Sequence, residues 1–113
     1  MDFYDEKNGI IIGGDYTKPE ANIANKAVTV DGGKTWKLLG DGKDPAYTSS
    51  VRYVPNGNSR EIVAAGPKGI SYSRDAGKTW KNFSDEEFYT IRFFNDSIAY
   101  AAGANRIAKL KFE

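Results

Sequence analysis

Arg52 and Arg92 occupy the same place in two strand-like runs, Val51-Arg52-Tyr53-Val54 and Ile91-Arg92-Phe93-Phe94. Two guanidinium groups on neighbouring strands can clamp a carboxylate or sulfate bidentately, because their planar fork of donors matches paired oxygens. The same pattern has a plainer reading. A looser third match, Met1-Asp2-Phe3-Tyr4, carries an acid at that place. Asp2 can therefore pair with Arg52 as a structural ion pair, and the two arginines can equally form a basic patch for a protein. Carboxylates supply the other candidates. Asp41 and Asp44 could act as an acid–base pair or bind a hard cation through oxygen, but no calcium-loop spacing surrounds them. A solvated acidic turn answers their spacing as well. Asp31 and Asp75 would be metal or catalytic carboxylates, were it not for the motif that holds them.

That motif is an eight-residue stretch present twice, 44 positions apart: Thr29-Val30-Asp31-Gly32-Gly33-Lys34-Thr35-Trp36 and Ser73-Arg74-Asp75-Ala76-Gly77-Lys78-Thr79-Trp80. Both read Ser/Thr-x-Asp-x-Gly-x-Thr-Trp. Thr29, Asp31, Gly33, Thr35 and Trp36 recur as Ser73, Asp75, Gly77, Thr79 and Trp80. An Asp side chain accepts from backbone N–H groups one or two residues on, and Ser or Thr does so more weakly. Gly33 and Gly77 allow the positive φ of a tight reversal. Thr35 and Thr79 are expected to open the next strand, and the two Trp rings to pack between layers. This accounts for the motif as a structural turn with no ligand or metal.

The two stretches resemble Asp-boxes, or BNR repeats. Such repeats occur in sialidases, sortilin-type receptors, other glycoside hydrolases and propellers similar to photosystem II assembly factors. The resemblance is closest to the last group, whose pattern of Gly, loop, Gly-Ile and box is matched by Ala65-Gly66-Pro67-Lys68-Gly69-Ile70 followed by Ser73 to Trp80. It implies a β-propeller with no cofactor and favours an extracytoplasmic setting. It implies no single activity, because a shared turn is compatible with unrelated functions.

Short β-rich runs punctuated by Gly, Asn, Asp and Pro extend outward from the boxes, and no stretch shows a 3.6-residue apolar period. The reading is all-β: a partial β-propeller of about two and a half four-stranded antiparallel blades, the first strand of each innermost. The blades are placed at 1–40, 47–84 and, incomplete, 88–113. Counting from Gly103 as from Gly66, Phe112 falls where a third box would carry its Asp. So few blades leave open faces and an unpaired edge near Ala108 to Phe112. Either the chain is the C-terminal part of a larger propeller, or several copies associate.

Composition narrows the partners. Sixteen Lys and Arg against 15 Asp and Glu leave a net charge of +1, which argues against nucleic acid and anionic membranes. With no Cys and no His, the chain has no thiolate site, no disulfide and no imidazole base or ligand. No membrane-spanning run is visible, and composition leaves the compartment open.

In a meander the loops between second and third strands share one end of the blade with the inter-blade connections, and the boxes lie at the other. The first unit is longer than the second at that non-box end, by eight residues before its box and by four after its Trp. Loops on a rigid scaffold commonly carry function, although long surface loops also cost little. Asp15, Tyr16, Lys18 and Glu20 of one insertion, with Asp41, Lys43, Asp44 and Tyr47 of the other, are its polar and aromatic groups. The expected role is a non-catalytic binding or scaffolding module that engages a protein or glycan there. The alternatives are part of a sialidase-type exo-glycoside hydrolase, with Arg52 and Arg92 in its clamp, or a purely structural closing segment.

Overall fold

A computed structural model describes residues 1–13, 26–39, 48–103 and 106–112. Eleven strands and no helix occur among them. They form three antiparallel sheets in chain order. The first holds β1 (Asp2–Phe3), β2 (Gly9–Ile12), β3 (Lys26–Thr29) and β4 (Lys37–Leu38). The second holds β5 (Ser50–Tyr53), β6 (Ile62–Gly66), β7 (Gly69–Ser73) and β8 (Lys81–Ser84). The third holds β9 (Thr90–Phe93), β10 (Ile98–Gly103) and β11 (Arg106–Lys111). Every strand pairs with its chain neighbour, the order of a blade meander.

Pairing makes the three sheets equivalent. Asp2 faces Ile10, Arg52 faces Val63 and Arg92 faces Tyr100 across their first two strands. Alternation along each strand then sends one residue set to each face. Ile10 and Ile12 of the first sheet meet Val51, Tyr53, Ile62 and Ala64 of the second in one cluster. Val63, Ala65 and Ile70, from the opposite face of the second sheet, meet Ile91, Ala99 and Ala101 of the third in another. The middle sheet is thus apolar on both faces, and β6 (Ile-Val-Ala-Ala-Gly) is buried along its whole length. The innermost strands are joined by polar ties: Ser49 Oγ donates to the Tyr89 carbonyl at 2.8 Å, and the Tyr53 N–H donates to Asp2 Oδ2 at 2.8 Å.

Phe112, at the position of a third box Asp, enters the second cluster instead. Its ring stacks on Tyr72 and Phe83 at 5.8 and 5.1 Å between centroids and lies 5.5 Å from Phe93.

Candidate binding surface

The two Asp-boxes have one geometry. Asp31 Oδ1 accepts from the Thr35 N–H at 2.9 Å, and Oδ2 accepts from Thr35 Oγ1 at 2.5 Å. Asp75 does the same with Thr79 at 2.8 and 2.5 Å. Thr29 Oγ1 and Ser73 Oγ each donate to their Asp while accepting from the glycine N–H four residues on, Gly33 at 3.0 Å and Gly77 at 2.9 Å. The glycines adopt φ of +93° and +90°. The Asp therefore closes a wider turn than the expected reach of one or two residues, and Thr35 and Thr79 belong to that turn, before the strand. The narrower Asx turn occurs elsewhere. Asp5 Oδ1 accepts from the Lys7 and Asn8 N–H groups, and Asn95 Oδ1 from those of Ser97 and Ile98, closing the hairpins after β1 and β9.

Each box is also tied to its own first hairpin. Gly32 N–H donates to the Lys7 carbonyl at 3.0 Å, and Ala76 N–H to the Arg60 carbonyl at 2.8 Å. The tryptophans cap their own turns, with Nε1 donating to the Gly33 and Gly77 carbonyls. Trp80 packs partly against the cluster shared with the first sheet, whereas Trp36 is exposed, with Phe3 edge-on at 6.2 Å. The expectation of equal inter-layer packing thus fails for Trp36, because no sheet among the described residues covers its side of the first blade.

These donors set the acidity of the box carboxyls. The Thr35 hydroxyl, then its N–H and the Thr29 hydroxyl, hold Asp31 well below the usual carboxylate range. For Asp75 partial burial is the largest single influence and acts upward, but the Thr79 hydroxyl and N–H and the Ser73 hydroxyl together outweigh it, so its pKa is lowered too. A carboxylate with a depressed folded pKa stabilises the fold fully above its unfolded pKa, about 3.9. That contribution is lost as pH falls through the lower folded value. We expect carbon-detected NMR titration to place both midpoints below that of unfolded Asp, Asp31 the more depressed. Titration at the ordinary value would mean that the turn's hydrogen bonds are not kept in solution.

Arg52 is held between sheets. Its Nη1 lies 3.8 Å from Asp2 Oδ1 in the first, and its Nε donates to the Ile91 carbonyl of the third at 3.2 Å. Arg92 projects from the other face of the third sheet, exposed, with no hydrogen bond or ion pair among the described residues. The structure thus separates the two guanidinium groups into one tied between blades and one open. Asp15, Tyr16, Lys18, Glu20, Asp41, Lys43, Asp44 and Tyr47 lie outside the described residues. What flanks them is placed: Lys26 is buried at the start of β3, and its carbonyl accepts from the Leu39 N–H at 2.9 Å. Thr48, beside the second insertion, is buried, and its Oγ1 has no hydrogen-bond partner among the described residues. The non-box end itself is tightly assembled, since a Cβ on Gly69 would strike Ser84 and one on Gly103 would strike Glu87.

One groove was not foreseen. Tyr72, Arg74, Thr79, Lys81, Asn82 and Phe83 line a cleft of about 320 Å³ on the second blade. Arg74 lies over the Tyr72 ring at 5.5 Å, and the Tyr72 hydroxyl donates to Glu61. Burial, then the Glu61 hydrogen bond, raises the Tyr72 pKa. Its only trace in the sequence is alternation of Tyr72 and Arg74 into the box, which reads equally as an ordinary strand. Among the described residues no cluster of acidic side chains could hold a metal ion. No helix among them is long and apolar enough to cross a membrane.

The family description BNR/Asp-box repeat matches residues 27–38 and 71–82, the two turns with the strands on either side. No curated protein matches the chain. Among solved structures the chain is similar to "YCF48 bound to D1 peptide", with a TM-score of 0.70 and 19% identity over 96% of its own length. It spans 35% of that structure's chain. With duplicated box turns, equivalent meanders and this shared fold, the chain is a partial β-propeller of the Asp-box type.

Proposed function

We propose that this chain is a non-catalytic propeller module that engages a segment of a protein partner at its non-box end, through the insertions Asp15 to Lys26 and Gly40 to Tyr47. The supporting observation is likeness of fold, over 96% of the chain, to a propeller solved with a peptide bound. The scaffold agrees with this role. The box turns and inter-sheet ties use their polar groups on one another, while the two insertions fall in sequence between β2 and β3 and between β4 and β5. Arg52, already engaged by Asp2 and the Ile91 carbonyl, is poorly placed to clamp an acidic sugar, which weighs against the sialidase-type alternative.

The test is fluorescence anisotropy against a panel of labelled, unstructured 15-residue peptides of varied charge. Binding that falls at least tenfold in the double variant Tyr16→Ala/Lys18→Ala, with thermal stability within about 0.5 kcal/mol of the parent, supports the reading. Absence of binding to every peptide, or binding indifferent to those substitutions, overturns it. Release of fluorophore from a fluorogenic sialoside would favour the hydrolase instead.

A further inference from the structure

The dipeptide Asn-Gly occurs twice, as Asn8-Gly9 and Asn56-Gly57. In it an asparagine amide is most open to attack by the next backbone nitrogen, because Gly has no Cβ to obstruct the approach. Asparagine is among the chemically labile residues for such reasons. The fold treats the two sites differently. Asn8 is pinned: its Nδ2 donates to both carboxylate oxygens of Asp5 at 3.1 Å, and its N–H donates to Asp5 Oδ1 at 2.7 Å. Gly9 lies within β2, paired with Phe3 on one side and Thr29 on the other, and the Phe3 ring comes within 2.7 Å of where a Gly9 Cβ would stand. Asn56 is exposed, and its side chain makes no hydrogen bond among the described residues. It sits at a φ of +61° in the turn Val54-Pro55-Asn56-Gly57, closed by the Gly57 N–H on the Val54 carbonyl at 3.1 Å. That is the pattern of a type II turn. The next turn, closed by the Arg60 N–H on the Gly57 carbonyl at 3.1 Å, holds Asn58 and Ser59 at φ of +56° and +59°. Three left-handed residues with side chains in so short a stretch carry strain that a β ladder does not. This turn therefore opens locally at less cost than β2.

We infer that Asn56 is a site of self-modification, converting to aspartate and isoaspartate in the folded protein while Asn8 stays intact. Once the single bond to the Val54 carbonyl opens, the Gly57 nitrogen gives up its proton and attacks Asn56 Cγ. The new C–N bond closes a cyclic imide, and the side-chain nitrogen leaves with a proton as ammonia. Water then opens the ring at either carbonyl. One product is aspartate; the other is isoaspartate, whose main chain runs through the former side chain and is longer by one carbon. No electron is gained or lost. The change matters at this place. Asn56 lines one cleft with Asp2 and another with Glu61 and Asp96, so either product adds a carboxylate beside acids already present. The lengthened main chain also shifts Asn58, whose N–H donates to the Tyr4 hydroxyl at 3.2 Å and ties the second sheet's first hairpin to that of the first sheet.

Peptide mapping by mass spectrometry tests this on the chain held in mildly alkaline buffer, with circular dichroism as the check that it stays folded. Trypsin releases Asn56 in the peptide 53–60. The gain in mass from amide to acid is expected there at least tenfold faster than in the peptide that begins at Asn8, and the difference should collapse in urea. An isoaspartyl methyltransferase should label the β-linked product, and Asn56→Gln should abolish that label. The isoaspartate form, once separated, should have a lower urea midpoint than Asn56→Asp, which carries the same charge on an unlengthened main chain. Equal midpoints would overturn the claimed loosening of the Tyr4 tie. Conversion that is absent at Asn56, or no faster there than at Asn8, overturns the inference. So does a difference undiminished in urea, which would assign the rates to flanking residues instead of the fold.

Discussion

Gly69→Ala should be the most destabilising methyl that can be added to this chain, costing about 3–5 kcal/mol. Gly69 ends the two-residue turn Pro67-Lys68 between β6 and β7, at a φ of +118°. That value lies beyond the left-handed region that Ala can enter at modest cost, so backbone strain alone accounts for about 1–3 kcal/mol. Steric conflict adds to it. A Cβ there would sit 2.0 Å from the Ser84 carbonyl oxygen and 2.9 Å from the Asp85 Cα, both backbone atoms that cannot rotate away. The β7–β8 register shifts between Ile70 and Ser71, directly beside this approach. Gly13→Ala is the control, because a Cβ there meets nothing within 4 Å among the described residues, and it should stay within about 0.5 kcal/mol of the parent. Urea denaturation of the two variants measures the difference. Equal midpoints would mean that the hairpin does not close on the end of β8.

The blade meander was readable because its signals are local. Short apolar runs closed by Gly mark β6 (Ile62–Gly66) and β10 (Ile98–Gly103) in the sequence. The duplicated box fixed the register between blades, so Arg52, Arg92 and Asp2 could be aligned before any coordinates. The function of each box atom was less accessible. Asp, Ser, Thr and Gly state that a turn exists, but whether a carboxylate reaches two residues or four depends on backbone angles that the letters do not specify. Trp36 and Trp80 are indistinguishable in sequence and differ in burial only because Trp80 has a preceding sheet to lean on. That difference is tertiary, and no local pattern carries it. Arg52 shows the same limit. The possibility of a pair with Asp2 was visible from alignment, whereas its second bond, to the Ile91 carbonyl, depends on how closely the innermost strands approach. The loop candidates, from Asp15 to Lys18 and from Asp41 to Asp44, rest on insertion length, a property of the sequence alone.

Phe112→Asp, which would write the missing box carboxylate into the third blade, should destabilise the chain by more than Phe112→Ala. The alanine change alone should cost about 3–5 kcal/mol, the usual range for a large aromatic removed from a core. The repeat alignment makes the Asp substitution look like a repair, and the structure shows why it is not. Leu110 replaces the box Ser, so the hydroxyl that would donate to the carboxylate is absent. Phe112 has a different task. Its ring is 8% exposed, stacked between Tyr72 and Phe83 of the second sheet and beside Phe93 of its own. Its N–H donates to the Ser97 carbonyl at 2.7 Å, which fixes the end of β11 against the β9–β10 hairpin. An aspartate there would lose the three ring contacts and bury a carboxyl group without donors, which adds a desolvation cost to the cavity. The comparison therefore separates two accounts of the third blade. If it is a degenerate box, Asp should be tolerated better than Ala; if it is an aromatic clasp between sheets, Ala should be tolerated better than Asp. Thermal denaturation of the two variants decides, and a Phe112→Leu variant retaining part of the packing should fall between Ala and the parent.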